Sequence, residues 1–200
     1  MSAPFDIHVC AAKWQGLNLD EKGDMVAEEF LSACDSIISI LDVMGSGLGM
    51  VKSDMTGNSG HIRRNLAKFG PGVTLQAMVA KDIENKVATK DGTTATSLLW
   101  LKRALHFLDQ LLAQLLKGAS VEVIDAGRAA YADTLTHHHG MVVRQVFKVA
   151  IMAVPHRATF MEKIAGSEEK AVPALLEVSP NFSAAVSAVN QFLVAAGLEK

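Results

Sequence analysis

Apolar residues recur at intervals of three and four along nearly the whole chain, and no stretch sustains the period-two alternation of a half-buried strand. The pattern predicts an all-α fold. A first long helix is expected from about Asp24 to Met44, with Val26, Phe30, Ala33, Ile37, Ile40, Leu41 and Met44 on one side, ending at the GSGLG break of 45–49. A second, over about 50–68, carries Val51, Met55, Ile62 and Leu66 and closes at FGPG. A third runs from about Val73 to Val87. The fourth follows ATKDGTTATS, with Thr93 or Thr94 as its cap, and continues to about Leu116; being apolar nearly all round, it belongs in the middle of a bundle. Helices at about 121–136 and 138–153, a short one at 157–165, and one or two in a tail punctuated by Pro173 and Pro180 bring the count to about eight. With no tandem repeat and no long linker, residues 1–200 are expected to form a single domain.

Composition narrows the function classes. Of 200 residues, 50% are hydrophobic and 20% charged, enough to fill a core and too few charges for disorder. The formal net charge of −2 supplies no positive field, so nucleic acid is not an expected partner. The most apolar segment, SLLWLKRALHFLDQLLAQLL at 97–116, is interrupted by Lys102, Arg103, His106 and Asp109, which predicts a buried helix rather than a membrane span. Two cysteines, Cys10 and Cys34, make no disulfide framework, and the opening MSAPFDIHVC lacks a basic region followed by a long apolar run. A cytoplasmic location is expected.

The stretch SDMTGNSGHIRR, residues 53–64, places Asp54, Asn58 and His61 at spacings of four and three, on one helical face. An acid, an amide and an imidazole so stacked can hold one polar object, although a plain solvated face has the same pattern. The run His137-His138-His139 does not make a metal site on a helix, because consecutive side chains diverge by about 100°. No HExxH, CxxC, GxSxG, P-loop or dinucleotide signature is present, so no metal, no cofactor and no enzymatic activity are expected.

From Phe30 to Gly166 the chain resembles the glycolipid transfer protein family. Asp54-Met-Thr-Gly-Asn58 resembles the D-x-x-x-N headgroup helix of that family, and VTLQAMV at 73–79 resembles the segment after it. WLKRAL at 100–105, AYADTLTHHHGMVVRQVF at 130–147 and VPHRATFMEKIAG at 154–166 match in the same order. The resemblance implies a two-layer sandwich of eight helices that binds one sphingolipid and carries it between membranes, docking transiently on their surfaces; protein partners stay unspecified. It implies that Asp54 accepts from the ceramide amide N–H and a sugar hydroxyl, that Asn58 binds further hydroxyls, that His139 donates to the amide carbonyl and that Trp100 stacks under the sugar. The hydrocarbon pocket would be lined by Ile40, Leu41, Met44, Val51, Phe107, Leu108, Phe147 and Ile151, positions that plain core packing would also explain.

A related branch of the family carries ceramide-1-phosphate and has arginine at the Trp100 position, a second arginine at the Thr96 position and lysine at the Asn58 position. Without those cations a phosphate lacks charge-assisted partners, so a neutral sugar is favoured. The alternative is a phosphosphingolipid held by Arg64, Lys102 or Arg103; a glycolipid sensor that recruits a protein partner is another. Two residues depart from the family pattern. His61 stands where the family has lysine, replacing a fixed cation by a titrating one, and Met141 stands where it has a tryptophan implicated in membrane contact. Lys148, Arg157 and Lys163 are expected to be solvated surface charges.

Overall fold

The computed structural model describes residues 5–17 and 23–199; the first four residues of MSAPFDIHVC lie outside that range. The described residues form ten α-helices: α1 (Ile7–Gln15), α2 (Ala27–Ile38), α3 (Ile40–Val43), α4 (Gly49–Leu66), α5 (Leu75–Glu84), α6 (Thr94–Leu115), α7 (Val123–Asp133), α8 (Met141–Ala150), α9 (Arg157–Ala165) and α10 (Glu168–Ala195). Short 3-10 turns occupy Ser46–Leu48, Leu135–His137 and Ile151–Ala153. Among the described residues there is no strand, only an isolated antiparallel bridge between Val26 and Thr74.

Side chains start several of these helices as local chemistry predicts. Asp6 accepts from the backbone N–H groups of His8 and Val9 at the head of α1, and Thr74 accepts from Ala77 at the head of α5. Thr93 accepts from the N–H of Thr96 and so opens α6, one of the two threonines expected to do so. Gly166, at φ 82°, ends α9 in the left-handed conformation that glycine adopts without steric cost.

Three elements differ from the periodicity. The expected helix 24–44 is divided at Ser39, where Ser36 Oγ donates to Ala33 O and Ser39 Oγ to Ser36 O, hydroxyl bonds that compete with the helical ladder. The helix expected from residue 138 begins at Met141. Thr134 leaves helical geometry (φ −126°, ψ −90°), so the histidine run occupies a 3-10 turn and the short link after it instead of an α-helix. In the tail, α10 passes through Pro173 and Pro180 without ending. Each proline forfeits one backbone bond, and a proline within a helix costs about 3 kcal/mol. The apolar face of α10, including Leu175, Val178, Phe182 and Leu193, is buried against α1, α6 and α9 and offsets that cost. By length and composition α10 could cross a membrane, but this buried face serves the core.

At the centre, α6 packs on α4, α5, α7 and α10, as its nearly uniform apolar surface predicts. Helix α1, which the periodicity did not single out, closes the core against α2 and α10 through Trp14, whose ring meets Phe30 edge-on and lies 4.8 Å from Phe182. Cys10 and Cys34 are free and buried. Arg157 is not the surface charge expected. It is 4% exposed, and its guanidinium donates to Leu115 O, Val121 O and Glu168, tying α9 to the end of α6.

Candidate functional site

Between α4, α6 and α8 lies a cavity of about 440 Å³, floored by apolar groups and rimmed by polar ones. Helix α4 supplies Asp54 and Asn58, one turn apart as their spacing requires. Trp100 and Ala104, also one turn apart, come from α6; Val143, Val146, Phe147 and Ala150 come from α8. The link between α7 and α8 contributes His138 and His139. Gly47 allows the closest approach: a Cβ there would fall 2.5 Å from Ala150 O and 2.8 Å from Ala153 Cβ, so the 3-10 turn at 46–48 can press on the end of α8 only without a side chain. A wider cleft of about 1050 Å³ between α1, α2, α9 and α10 is open, carries scattered charges such as Lys13, Asp35 and Glu177, and contains none of the expected site residues.

The polar rim is internally organised. Asn58 Nδ2 donates to the carbonyl of Asp54 at 3.0 Å and to its Oδ2 at 3.3 Å, which leaves the amide oxygen and the other carboxylate oxygen for a ligand. Asp54 sits on the exposed rim as a residue, yet partial enclosure of its carboxyl raises its pKa, with His139 and Asn58 opposing the rise. His139 shifts the other way: burial lowers its pKa, Asp54 opposes, and Arg144 adds to the lowering. The Tyr131 hydroxyl lies 2.9 Å from His139 Nδ1. With the phenol as donor, Nδ1 accepts and Nε2 carries the proton.

Below the rim, Tyr131 stacks on Phe147 with centroids 3.7 Å apart and planes within 6°, and Phe147 meets Phe107 edge-on at 5.6 Å. Phe147 lines the cavity, and the other two rings back it from the core. Behind Trp100, the Arg103 guanidinium lies 4.9 Å from the indole centroid, a cation–π contact that braces the ring from outside the cavity.

Asp54, Asn58, Trp100 and His139 therefore converge on one cavity. His61 is not among its lining residues. Seven residues along α4 from Asp54 carry it about 10 Å farther, and its Nδ1 instead lies 3.4 Å from Ser97 Oγ. Arg64 is exposed on α4, and Arg103 pairs with Glu199. Of the eight residues expected to line a hydrocarbon pocket, Val51 and Phe147 border the cavity; Ile40, Leu41, Met44, Phe107, Leu108 and Ile151 lie in the closed core beneath. Sequence reasoning missed His138, Met50, Gly47 and the α8 residues Val143 and Val146 as lining. It also missed Tyr131 as the partner of His139, although both fall in the AYADTLTHHHG segment. No local signal marks a hydroxyl that reaches eight residues along a broken helix.

Comparison with known proteins bears on what this cavity serves. The family model for glycolipid transfer protein (GLTP) matches residues 25–166. A glycolipid transfer protein of Aureobasidium melanogenum is 37% identical over 175 residues, covering 86% of this chain and 85% of the relative. Among solved structures, that of FAPP2, described by its selection of simple glycosphingolipids with the GLTP fold, superposes with a TM-score of 0.83 at 29% identity, covering 94% of this chain and 93% of that one. The apo mouse ceramide-1-phosphate transfer protein superposes with a TM-score of 0.88 at 24% identity over 98% of both chains, a likeness of fold alone. The all-helical fold expected from the periodicity, as the sandwich that the resemblance implies, is the fold these proteins share. By the extent of the family match and of the Aureobasidium relative, the chain belongs to the glycolipid transfer protein family.

Proposed function

We propose that this protein binds one glycosylceramide-like sphingolipid, carries it between membranes and changes no chemical bond. The observation that carries this is the convergence of Asp54, Asn58, His139 and Trp100 on the rim of a single apolar-floored cavity. Asp54 accepts from the ceramide amide N–H and from a sugar hydroxyl, and His139 donates from Nε2 to the amide carbonyl. Leaving either amide group unpaired in this enclosure would cost about 1–3 kcal/mol, so the pair discriminates for an amide-linked lipid. Trp100 offers its open face to the C–H face of the sugar, and Asn58 binds a neighbouring hydroxyl.

The hydrocarbon chains need a dry compartment, where each buried methylene contributes about 0.8 kcal/mol. They enter past Val51 and Phe147 and reach among the buried core residues Ile40, Leu41, Met44, Phe107, Leu108 and Ile151. Docking uses the apolar face of α8 beside the cavity mouth, where Met141 (79% exposed), Val142 (76%) and Val149 (71%) stand free of the core. Arg144 and Lys148 lie on the same helix and suit the headgroup level of a bilayer. Helices α1 and α10 fall outside the matched span yet complete the same core, which supports one domain over the whole chain. We take its location to be cytoplasmic.

No observation favours the phosphosphingolipid alternative: Thr96 donates to Ala88 O, Arg64 is off the cavity, and Lys102 and Arg103 are engaged by Glu199. The test is transfer of fluorescent lipid between vesicles, with galactosylceramide and ceramide-1-phosphate compared under identical conditions. Faster transfer of the neutral lipid, lost in Trp100→Ala with helical circular dichroism intact, is expected. Preference for the phosphate, or normal transfer by Trp100→Ala, would refute the site.

A further inference from the structure

Lys102 and Arg103 follow Trp100 by two and three residues, on a helix otherwise apolar nearly all round. Lys102 is only 4% exposed, and a buried cation without a partner is strongly disfavoured. Both find the same partner far away in sequence. Glu199, four residues past the end of α10, accepts from Arg103 Nη2 at 2.7 Å through Oε1, and from Arg103 Nε at 3.1 Å through Oε2. Its Oε2 also accepts from Lys102 Nζ, which donates in addition to Asn190 Oδ1 at 2.9 Å. Burial would raise the Glu199 pKa, but the hydrogen bonds and charges of Arg103 and Lys102 override it and hold the carboxyl at about 2.

Two features connect this cluster to the lipid site. The Arg103 guanidinium that Glu199 grips is the one braced against Trp100. The small polar cavity around Glu199 also shares His138 with the lipid cavity. A carboxylate spanning the guanidinium fork takes the bidentate geometry that a phosphate or sulfate would otherwise take. Asp133 lines the same cavity, but Glu199 is the carboxylate hydrogen-bonded to both cations, so neutralising it would free their attractive charge beside the headgroup platform.

We propose that Glu199 is a specificity-determining positioning residue: it occupies the donors of Lys102 and Arg103, keeping them from anionic sphingolipid headgroups, and holds Arg103 behind Trp100 so that the platform takes an uncharged sugar. This rests on the carrier function proposed above. Glu199 touches no lipid; it acts through the two cations of α6.

The test compares full-length wild type with Glu199→Gln, transferring galactosylceramide or ceramide-1-phosphate between phosphatidylcholine vesicles. In Glu199→Gln the ratio of ceramide-1-phosphate to galactosylceramide transfer rises by about tenfold, the scale of one charge-assisted hydrogen bond gained. Removing the freed guanidinium in Arg103→Gln/Glu199→Gln returns the ratio toward that of wild type. Tryptophan emission gives a second readout, because Trp14 is buried in the core and a change reports Trp100. Should Glu199→Gln lose its helical circular dichroism, Glu199→Asp serves instead: its shorter side chain releases one of the two cations and shifts the ratio in the same direction. An unchanged ratio in a folded variant, with galactosylceramide still transferred by wild type, overturns the role of Glu199. Failure of wild type to transfer galactosylceramide at all overturns the carrier function, and with it this inference.

Discussion

Removing a single hydroxyl, in Tyr131→Phe, probes how the imidazole of His139 is set. The aromatic ring stays, and with it the stack on Phe147 at 3.7 Å, so the buried area and the floor of the cavity are preserved. What disappears is the 2.9 Å hydrogen bond to His139 Nδ1. Burial raises the Tyr131 pKa, so the phenol keeps its proton throughout the neutral range and can donate. Without it Nδ1 has no partner in a half-buried setting, and the ring can move its proton from Nε2 to Nδ1, presenting a lone pair where the proposed lipid binding calls for a donor. A hydrogen bond of this kind contributes about 1 kcal/mol net, which corresponds to about a fivefold rise in Kd for galactosylceramide. Titration followed by Trp100 fluorescence measures the affinity, and the ¹⁵N shifts of the His139 ring report the tautomer directly. Unchanged affinity with an unchanged tautomer would refute the assignment of Tyr131 as the group that sets it. Tighter binding would show that Nδ1 bears the proton in the wild-type protein.

Other substitutions separate packing from recognition. Gly47→Ala places a methyl 2.5 Å from a backbone oxygen that cannot yield easily, and should lower stability by about 1–3 kcal/mol in a denaturant titration; wild-type stability would mean that the turn at 46–48 does not press on α8. Asp54→Val should abolish glycolipid transfer while leaving the melting curve nearly unchanged, since the residue stands on the rim; retained transfer would remove it from the site. His61→Lys should leave the ranking of headgroups unchanged, because His61 lies beside Ser97 and away from the lining, and a changed ranking would bring it back. Acid should expose the Glu199 cluster. The folded pKa is depressed from 4.5 to about 2, so its contribution is complete above pH 4.5 and is lost as pH falls toward 2. The span is about 3 kcal/mol, and Glu199→Gln should flatten this acid limb; parallel acid curves for both proteins would contradict it.

The periodicity of three and four, the glycine stops and the Thr93 cap are local properties of the chain, and they sufficed for an all-helical fold with α6 at its centre. Asp54 and Asn58 were legible because a spacing of four fixes their direction on any helix, and Trp100 and His139 because the segments around them resemble a known family. Where local rules competed with packing they misled. The prolines of α10 should weaken a helix, but a buried apolar face outweighs them; Ser36 and Ser39 divide a helix that its apolar stripe would continue. His61 shares the direction of Asp54 and not its neighbourhood, since direction follows from helical phase whereas the extent of a cavity depends on which other helices reach that level.

The sequence by itself determined the helices, their apolar faces and which polar residues share a side. Only the tertiary structure decided that residues as far apart as Asp54 and His139 bound one cavity, that Tyr131 holds that histidine, and that Glu199 crosses 96 positions to engage Arg103. The reason is range: backbone propensity acts over a few residues, while pairing of buried polar and charged groups is settled by whichever partners the packed core brings within hydrogen-bond distance.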